Sequence, residues 1–348
     1  MTVGKNLQII FHIVSSLGVI FVGTVRSITT VPKTVFRVPQ LPCWTFFLHS
    51  VVQIMRAFIA LHVLDIRVLR AVTDFPIIPT IPRNVFFEKK IINRVDCEVI
   101  VPGKRSSTSC IDTALSNGAG GICIYFHGGG FALCTSAFHR PITHFFAQKT
   151  DVVVVVPNYR RLPEHTLGEA LEDCENVFQE LRDQYPKVKI CIAGDSAGGA
   201  LCVMLAEKKR EQIAAVSLLS PWCDFRDRFS DLPKFWGSHD YLSPDVLVTM
   251  GGMVVDRNKE DLKSPIEIVC AGDYPSNVPT LVQVGGAETL YPQINRFSKY
   301  IQSSEFRAYP NMIHVPHFFS IMHDEATKAI FDLCEFNRKH LLCEIAQT

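Results

Sequence analysis

At 348 residues, 47% of them hydrophobic, the chain can bury the core of one large α/β domain with insertions. With 35 basic and 34 acidic residues its net charge is +1, which gives no electrostatic case for nucleic-acid binding, a function that needs a clustered basic surface. The 12 cysteines form no Cys-x-x-Cys pair, so they give no metal signature and suit a reducing compartment.

Residues 6–25 hold no Asp, Glu, Lys or Arg. About twenty apolar residues span a bilayer as a helix. Residues 1–40 therefore read as a hydrophobic segment and linker, expected to anchor the chain in a membrane. A cap helix over the body is the alternative, and a cleavable signal peptide lacks its small-x-small site. Lys5 precedes the run, and Arg26, Lys33 and Arg37 follow it. The positive-inside rule then puts the C-terminal body in the cytoplasm. The expected location is a membrane, such as that of the endoplasmic reticulum, with the body on its cytoplasmic face. If the segment is a cap helix, the location is cytoplasmic. The absence of any Asn-x-Ser/Thr acceptor agrees with either.

Residues 41–84 begin with a second apolar stretch, Leu41 to Leu64, opened by Pro42 and interrupted by Arg56. It predicts an amphipathic helix that covers a pocket or lies on a membrane. From about Val85 short apolar strands alternate with helical segments. Gly121–Phe126, Val152–Val156, Lys189–Ala193, Ala214–Leu219 and Thr280–Val284 read as strands. Helical patterns fall near 167–181 and 197–209. This alternation predicts a mostly parallel sheet flanked by helices over residues 85–348. Residues 225–264 break the rhythm and read as an insertion.

One turn in this series carries a nucleophile pattern. Gly194-Asp195-Ser196-Ala197-Gly198 follows the strand ending at Ala193 and opens a helical pattern. This is the G-x-S-x-G elbow in its required context. Small neighbours give Ser196 room for a strained backbone, and the helix behind it aims its N-terminal amides at the reacting centre.

Earlier in the chain, His127-Gly128-Gly129-Gly130-Phe131 ends the strand that begins at Gly121. Consecutive glycines leave amides unshielded by side chains. The amides of Gly128, Gly129 and Gly130, with that of Ala197, are the expected oxyanion donors.

In this fold an acid and then a histidine follow the serine. Glu288 is the only carboxylate in the loop Gly285–Leu290 after the strand from Thr280. Asp240 and Asp273 are weaker candidates, because no strand precedes either. His314 and His317 both suit the base on spacing alone.

Taken together, these motifs resemble the hormone-sensitive-lipase family of α/β-hydrolases over about residues 85–340. The segment Asn158-Tyr159-Arg160-Arg161-Leu162-Pro163-Glu164 is similar to the family's Tyr-Arg-Leu-Ala-Pro-Glu motif, departing at Arg161 and Leu162. Met312-Ile313-His314 matches the family's histidine loop, which favours His314 over His317, although Asn311 stands where the family has glycine. The resemblance implies a helical cap from residues 41–72 and 225–261, rich in large side chains such as Trp44, Phe58, Phe235 and Trp236. It also implies two-step acyl transfer through Ser196, Glu288 and His314, with no metal and no cofactor. By architecture the chain is similar to arylacetamide deacetylases and steryl acetyl hydrolases. The expected partner is a small hydrophobic ester, a short-acyl ester of a lipophilic alcohol. The alternative is a small-molecule-binding protein on the same fold, which retention of all three triad candidates disfavours.

Overall fold

A computed structural model describes residues 41, 43–74, 84–107, 110–230, 232, 237–259 and 261–342. The expected membrane segment at 1–40, and Phe235 and Trp236 of the cap, lie outside them. The eight strands are β1 (Val85–Ile92), β2 (Val95–Pro102), β3 (Ile122–Phe126), β4 (Val153–Pro157), β5 (Ile190–Asp195), β6 (Val216–Leu219), β7 (Thr280–Gly285) and β8 (Ser304–Tyr309). They form one sheet in the order β1-β2-β4-β3-β5-β6-β7-β8. β1 and β2 form an antiparallel hairpin, and β2 pairs antiparallel with β4. Every pairing from β4 to β8 is parallel.

The central strands are apolar along their whole length because both faces are covered. On β3, Ile122, Ile124 and Phe126 enter the core beneath the helices Leu167–Gln184 and Ala197–Lys209. Cys123 and Tyr125 point the other way, into the core under the helices Arg140–Thr150 and Asp324–Leu341. The period of two in a strand divides one run of five residues between two cores. The helix Leu167–Gln184 starts at a capping box, with Thr166 Oγ1 accepting from Glu169 N and Glu169 Oε2 accepting from Thr166 N.

The sequence reading singled out neither the β1–β2 hairpin nor the helix Arg140–Thr150, and it missed β8 and the helix Asp324–Leu341. β8 is half-buried at the sheet edge and carries Glu305 and Arg307, so it shows no apolar run. The helix Asp324–Leu341 closes the second face.

The cap consists of the helices Phe46–His62 and Ile66–Thr73, with Pro244–Asp256 from the insertion. The long stretch predicted from Leu41 to Leu64 is shorter at both ends, because Thr45 caps its start by accepting from Leu48 N. Leu48 and Val52 bury against Met312 and Ile313, and Trp44 Nε1 donates to Asn311 O at 2.7 Å. The first cap helix therefore packs on the loop that carries His314. The second grips the segment after the three glycines, as Arg70 donates to Ala132 O at 2.8 Å and pairs in bidentate fashion with Glu164. Phe46, Phe47 and Leu64 stay exposed. No helix among the described residues is long and apolar enough to cross a membrane.

Candidate active site

Ser196 stands between the end of β5 and the helix that starts at Ala197. Its φ of 52° and ψ of −117° are strained values for a residue with a side chain. Glycine is required on both sides. A Cβ at Gly194 would lie 2.5 Å from Gly198 O, and one at Gly198 would lie 1.9 Å from Phe126 O. The turn is held by Ser196 N donating to Leu219 O and by Trp222 N donating to Ser196 O, both at 2.9 Å. Ser196 Oγ makes no hydrogen bond with a described residue, so its hydroxyl is available to a base.

The glycine loop lies beside this turn. Gly129 and Gly130 adopt φ of 111° and 60°. The amides of Gly129, Gly130 and Ala197 meet no acceptor among the described residues, and Ala197 is the first residue of its helix. Gly128 is a correction to the predicted donor set. Its amide donates to Asp195 Oδ1 at 3.0 Å. A carboxylate acceptor holds an N–H more tightly than a carbonyl does, so this amide is committed.

The sequence reading assigns no role to Asp195. It is buried and also accepts from Tyr125 OH at 2.8 Å, with His139 Nε2 3.1 Å away. Burial pushes its carboxyl up, but the His139 charge and the bonds from His139 and Tyr125 outweigh this and hold it below its usual range. The residue before Ser196 thus ties the glycine loop to the turn at Ser196.

Glu288 and His314 meet in two loops at the same edge of the sheet. Gly286 N donates to Tyr309 O at 2.7 Å, and Ala287 N donates to Met312 O at 2.9 Å. Glu288 is fully buried. Its Oε2 accepts from Ser220 Oγ at 2.6 Å and from Gly285 N at 2.8 Å. Its Oε1 lies 3.4 Å from His314 Nδ1. Ser220 also accepts from Val315 N at 3.0 Å, and it follows Leu219, whose carbonyl anchors Ser196. The end of β6 therefore connects Ser196, Glu288 and His314. Ser220 carries no sequence signal beyond its place after an apolar strand.

His317 turns elsewhere. Its Nε2 lies 3.0 Å from Gln283 Oε1, and burial lowers its imidazole to about 3. Asp273 pairs with Lys263 at 2.7 Å. Asp240, which the sequence ranked low, is buried beside the Glu288–His314 pair. Among the described residues no cluster of three His, Cys, Asp or Glu side chains could hold a metal ion.

His314 is buried, and burial alone would lower its imidazole. The hydrogen bond and charge of Glu288, with Asp240 beside it, outweigh burial and raise it above its ordinary value of 6.5. A base works as the neutral ring. If His314 is the base, activity is expected to be lost as pH falls through a value above about 6.5. The acid limb of kcat/KM measured across pH 5–9 checks this, and a midpoint well below 6.5 would contradict it.

The profile of a family described as alpha/beta hydrolase fold matches residues 123–318, more than half of the chain. The chain belongs to this family. A carboxylesterase/phospholipase, LipF, of Mycobacterium tuberculosis is 29% identical over 239 residues, covering 64% of this chain and 63% of that protein. The chain thus spans less than two thirds of that relative's length. An acetyl-hydrolase of Streptomyces hygroscopicus is 27% identical, covering 60% of this chain and 72% of its own. Among solved structures, the hormone-sensitive-lipase homologue EstE7 from a metagenome library superposes with a TM-score of 0.66 at 25% identity. It covers 82% of this chain and 98% of its own. The hormone-sensitive-lipase resemblance read from the motifs thus agrees with the family match and with the relatives' names.

Proposed function

We propose that the chain is a serine ester hydrolase that works through an acyl-enzyme on Ser196. The observation that carries this reading is that one sheet edge holds a strained Ser196 whose Oγ, like the amides of Gly129 and Gly130, has no hydrogen-bond partner among the described residues, and a buried Glu288–His314 pair. His314 takes the Ser196 proton as Oγ attacks the ester carbonyl. The oxyanion is met by the amides of Gly129, Gly130 and Ala197. His314 then protonates the leaving alcohol, and water activated by the same ring releases the acid. Glu288 holds Nδ1–H and stabilises the imidazolium in both halves. The names of the relatives, carboxylesterase and acetyl-hydrolase, support the reaction class.

The substrate we propose is a short-acyl ester of a lipophilic alcohol. Apolar walls support it, since a Cβ at Gly130 would lie 2.0 Å from Met250 Cε and 3.9 Å from the Trp222 ring. Phe131 and Phe225 pack against Trp222, closing the same side. p-Nitrophenyl acetate and butyrate should be hydrolysed with higher kcat/KM than the octanoate, and the palmitate hardly at all. A series that rises with chain length would overturn the short-acyl reading, and no turnover of any ester would overturn the reaction class.

We also propose that the protein works on a membrane, with its body on the cytoplasmic face. The uncharged run 6–25, the exposed Phe46 and Phe47 of the first cap helix and the exposed Leu64 just after it support this. The full chain should sediment with membranes, and deletion of residues 1–26 should weaken that association. A full chain found wholly in the supernatant would contradict it.

A further inference from the structure

Asp240 has no part in acyl transfer as written, yet it is fully buried beside the triad. It sits on a turn of the insertion, closed by its own amide donating to Gly237 O at 3.0 Å. Its carboxylate faces two loops at once. Oδ2 accepts from Thr289 N, the amide next after the acid Glu288, at 2.8 Å. Oδ1 accepts from His314 N, the amide of the base itself, at 3.3 Å. We infer that Asp240 is a positioning residue of the catalytic centre, whose carboxylate ties the Glu288 loop to the His314 loop and holds the imidazole in line with its acid.

The turn that carries Asp240 is fixed from outside. Arg56 of the first cap helix donates to Gly237 O at 2.7 Å and to Asp240 O. Thr289 Oγ1 donates to Leu242 O, and a Cβ at Gly237 would lie 3.2 Å from Thr289 Cα and closer still to its hydroxyl. The cap and the acid loop therefore meet in close contact at this turn. Without the carboxylate, two buried amides in two different loops lose their acceptor together. The Glu288–His314 contact is already long at 3.4 Å, so it has little margin for drift. A misplacement of about 1 Å in a reacting group costs on the order of 100-fold in rate.

The charge acts in the same direction. Asp240 is faced by His314 and Glu288 from the two loops, by Tyr241 next in sequence and by Arg56 from the cap helix. Its negative charge favours the imidazolium that each half-reaction forms. Burial pushes its carboxyl up to about 6, with the nearby Glu288 charge adding to this and His314 opposing it. Below that pH the carboxyl gains a proton, one oxygen ceases to be an acceptor, and the link between the loops is lost. Asp240 ionisation and His314 neutrality are then both required, so two protons shut the centre down.

The role in turnover rests on the ester-hydrolase reading, but the effect on His314 is readable without it. Asp240→Asn keeps the size and one acceptor while removing the charge. It should lower kcat for p-nitrophenyl butyrate by about 10- to 100-fold, with KM changed by less than about threefold. The His314 ring, followed by NMR in histidine-labelled full-length protein, should titrate at lower pH in Asp240→Asn than in wild type. The acid limb of kcat/KM should steepen from a slope of one to a slope of two below about pH 6 in wild type and keep a slope of one in the variant. Wild-type kcat together with an unchanged His314 titration in a folded variant would overturn the inference. If the variant does not fold, the wild-type limb decides, and a slope of one throughout would overturn it. If wild type hydrolyses no ester, the reaction class fails, and the two His314 titrations still decide whether Asp240 governs the imidazole.

Discussion

Replacing Ser196 with alanine is expected to lower kcat for p-nitrophenyl butyrate by about 10⁴- to 10⁶-fold while the protein stays folded. That range is about 5–8 kcal/mol of transition-state stabilisation. The size follows from what remains. The proposed oxyanion donors, the amides of Gly129, Gly130 and Ala197, are untouched by the substitution, but no atom at residue 196 can then form the acyl bond. Alanine removes only an oxygen that bonds no described residue, so the thermal transition should move little. The strained backbone is held by Leu219 O and the Trp222 amide, and alanine leaves both bonds intact. Steady-state hydrolysis beside thermal unfolding separates the two effects. Residual hydrolysis above a few per cent of wild type in a folded variant would point to a nucleophile other than Ser196.

His314→Ala is expected to cost at least about 10⁴-fold in kcat/KM, and His317→Ala less than about tenfold. The two residues stand three apart in one loop, yet their surroundings differ completely. His314 Nδ1 faces the Glu288 carboxylate, which is itself fixed by Ser220 and Gly285. His317 faces Gln283, which donates in turn to Tyr309 OH and Ala329 O. Removing His317 leaves Gln283 Oε1 without its partner in a buried setting, a loss of about 1–3 kcal/mol of stability. The expected pattern is a crossed one. His314→Ala loses rate whatever its unfolding midpoint, whereas His317→Ala keeps most of its rate and unfolds more easily in urea. A larger rate loss for His317→Ala would reverse the assignment.

Much of this centre is legible in the chain because strained turns need particular residues. Gly194 and Gly198 are forced by backbone contacts under 3 Å, so the nucleophile elbow is written in glycine. The triple glycine before Phe131 is legible for the same reason, through the left-handed conformations of Gly129 and Gly130. The five parallel strands β3 to β7 show as apolar runs because helices cover both their faces. What stayed hidden depends on contacts between distant segments. Gly128 looks identical to its neighbours in sequence, and only the approach of Asp195 diverts its amide. Ser220 and Asp240 are ordinary polar residues until β6 and the insertion deliver them to Glu288 and His314. Asp240 ranked low because no strand precedes it, a rule that describes the acid and not a residue supporting it. β8 was missed because an edge strand with Glu305 and Arg307 has no apolar signature.

The most direct test of acyl transfer at Ser196 is the site of covalent capture. The purified full chain is treated with a fluorophosphonate, digested, and the adduct located by mass spectrometry. One adduct per chain on Ser196 is expected, formed at a rate that rises with pH as the His314 ring loses its proton. A folded protein that hydrolyses esters yet takes no adduct, or takes it on another residue, would contradict the assignment.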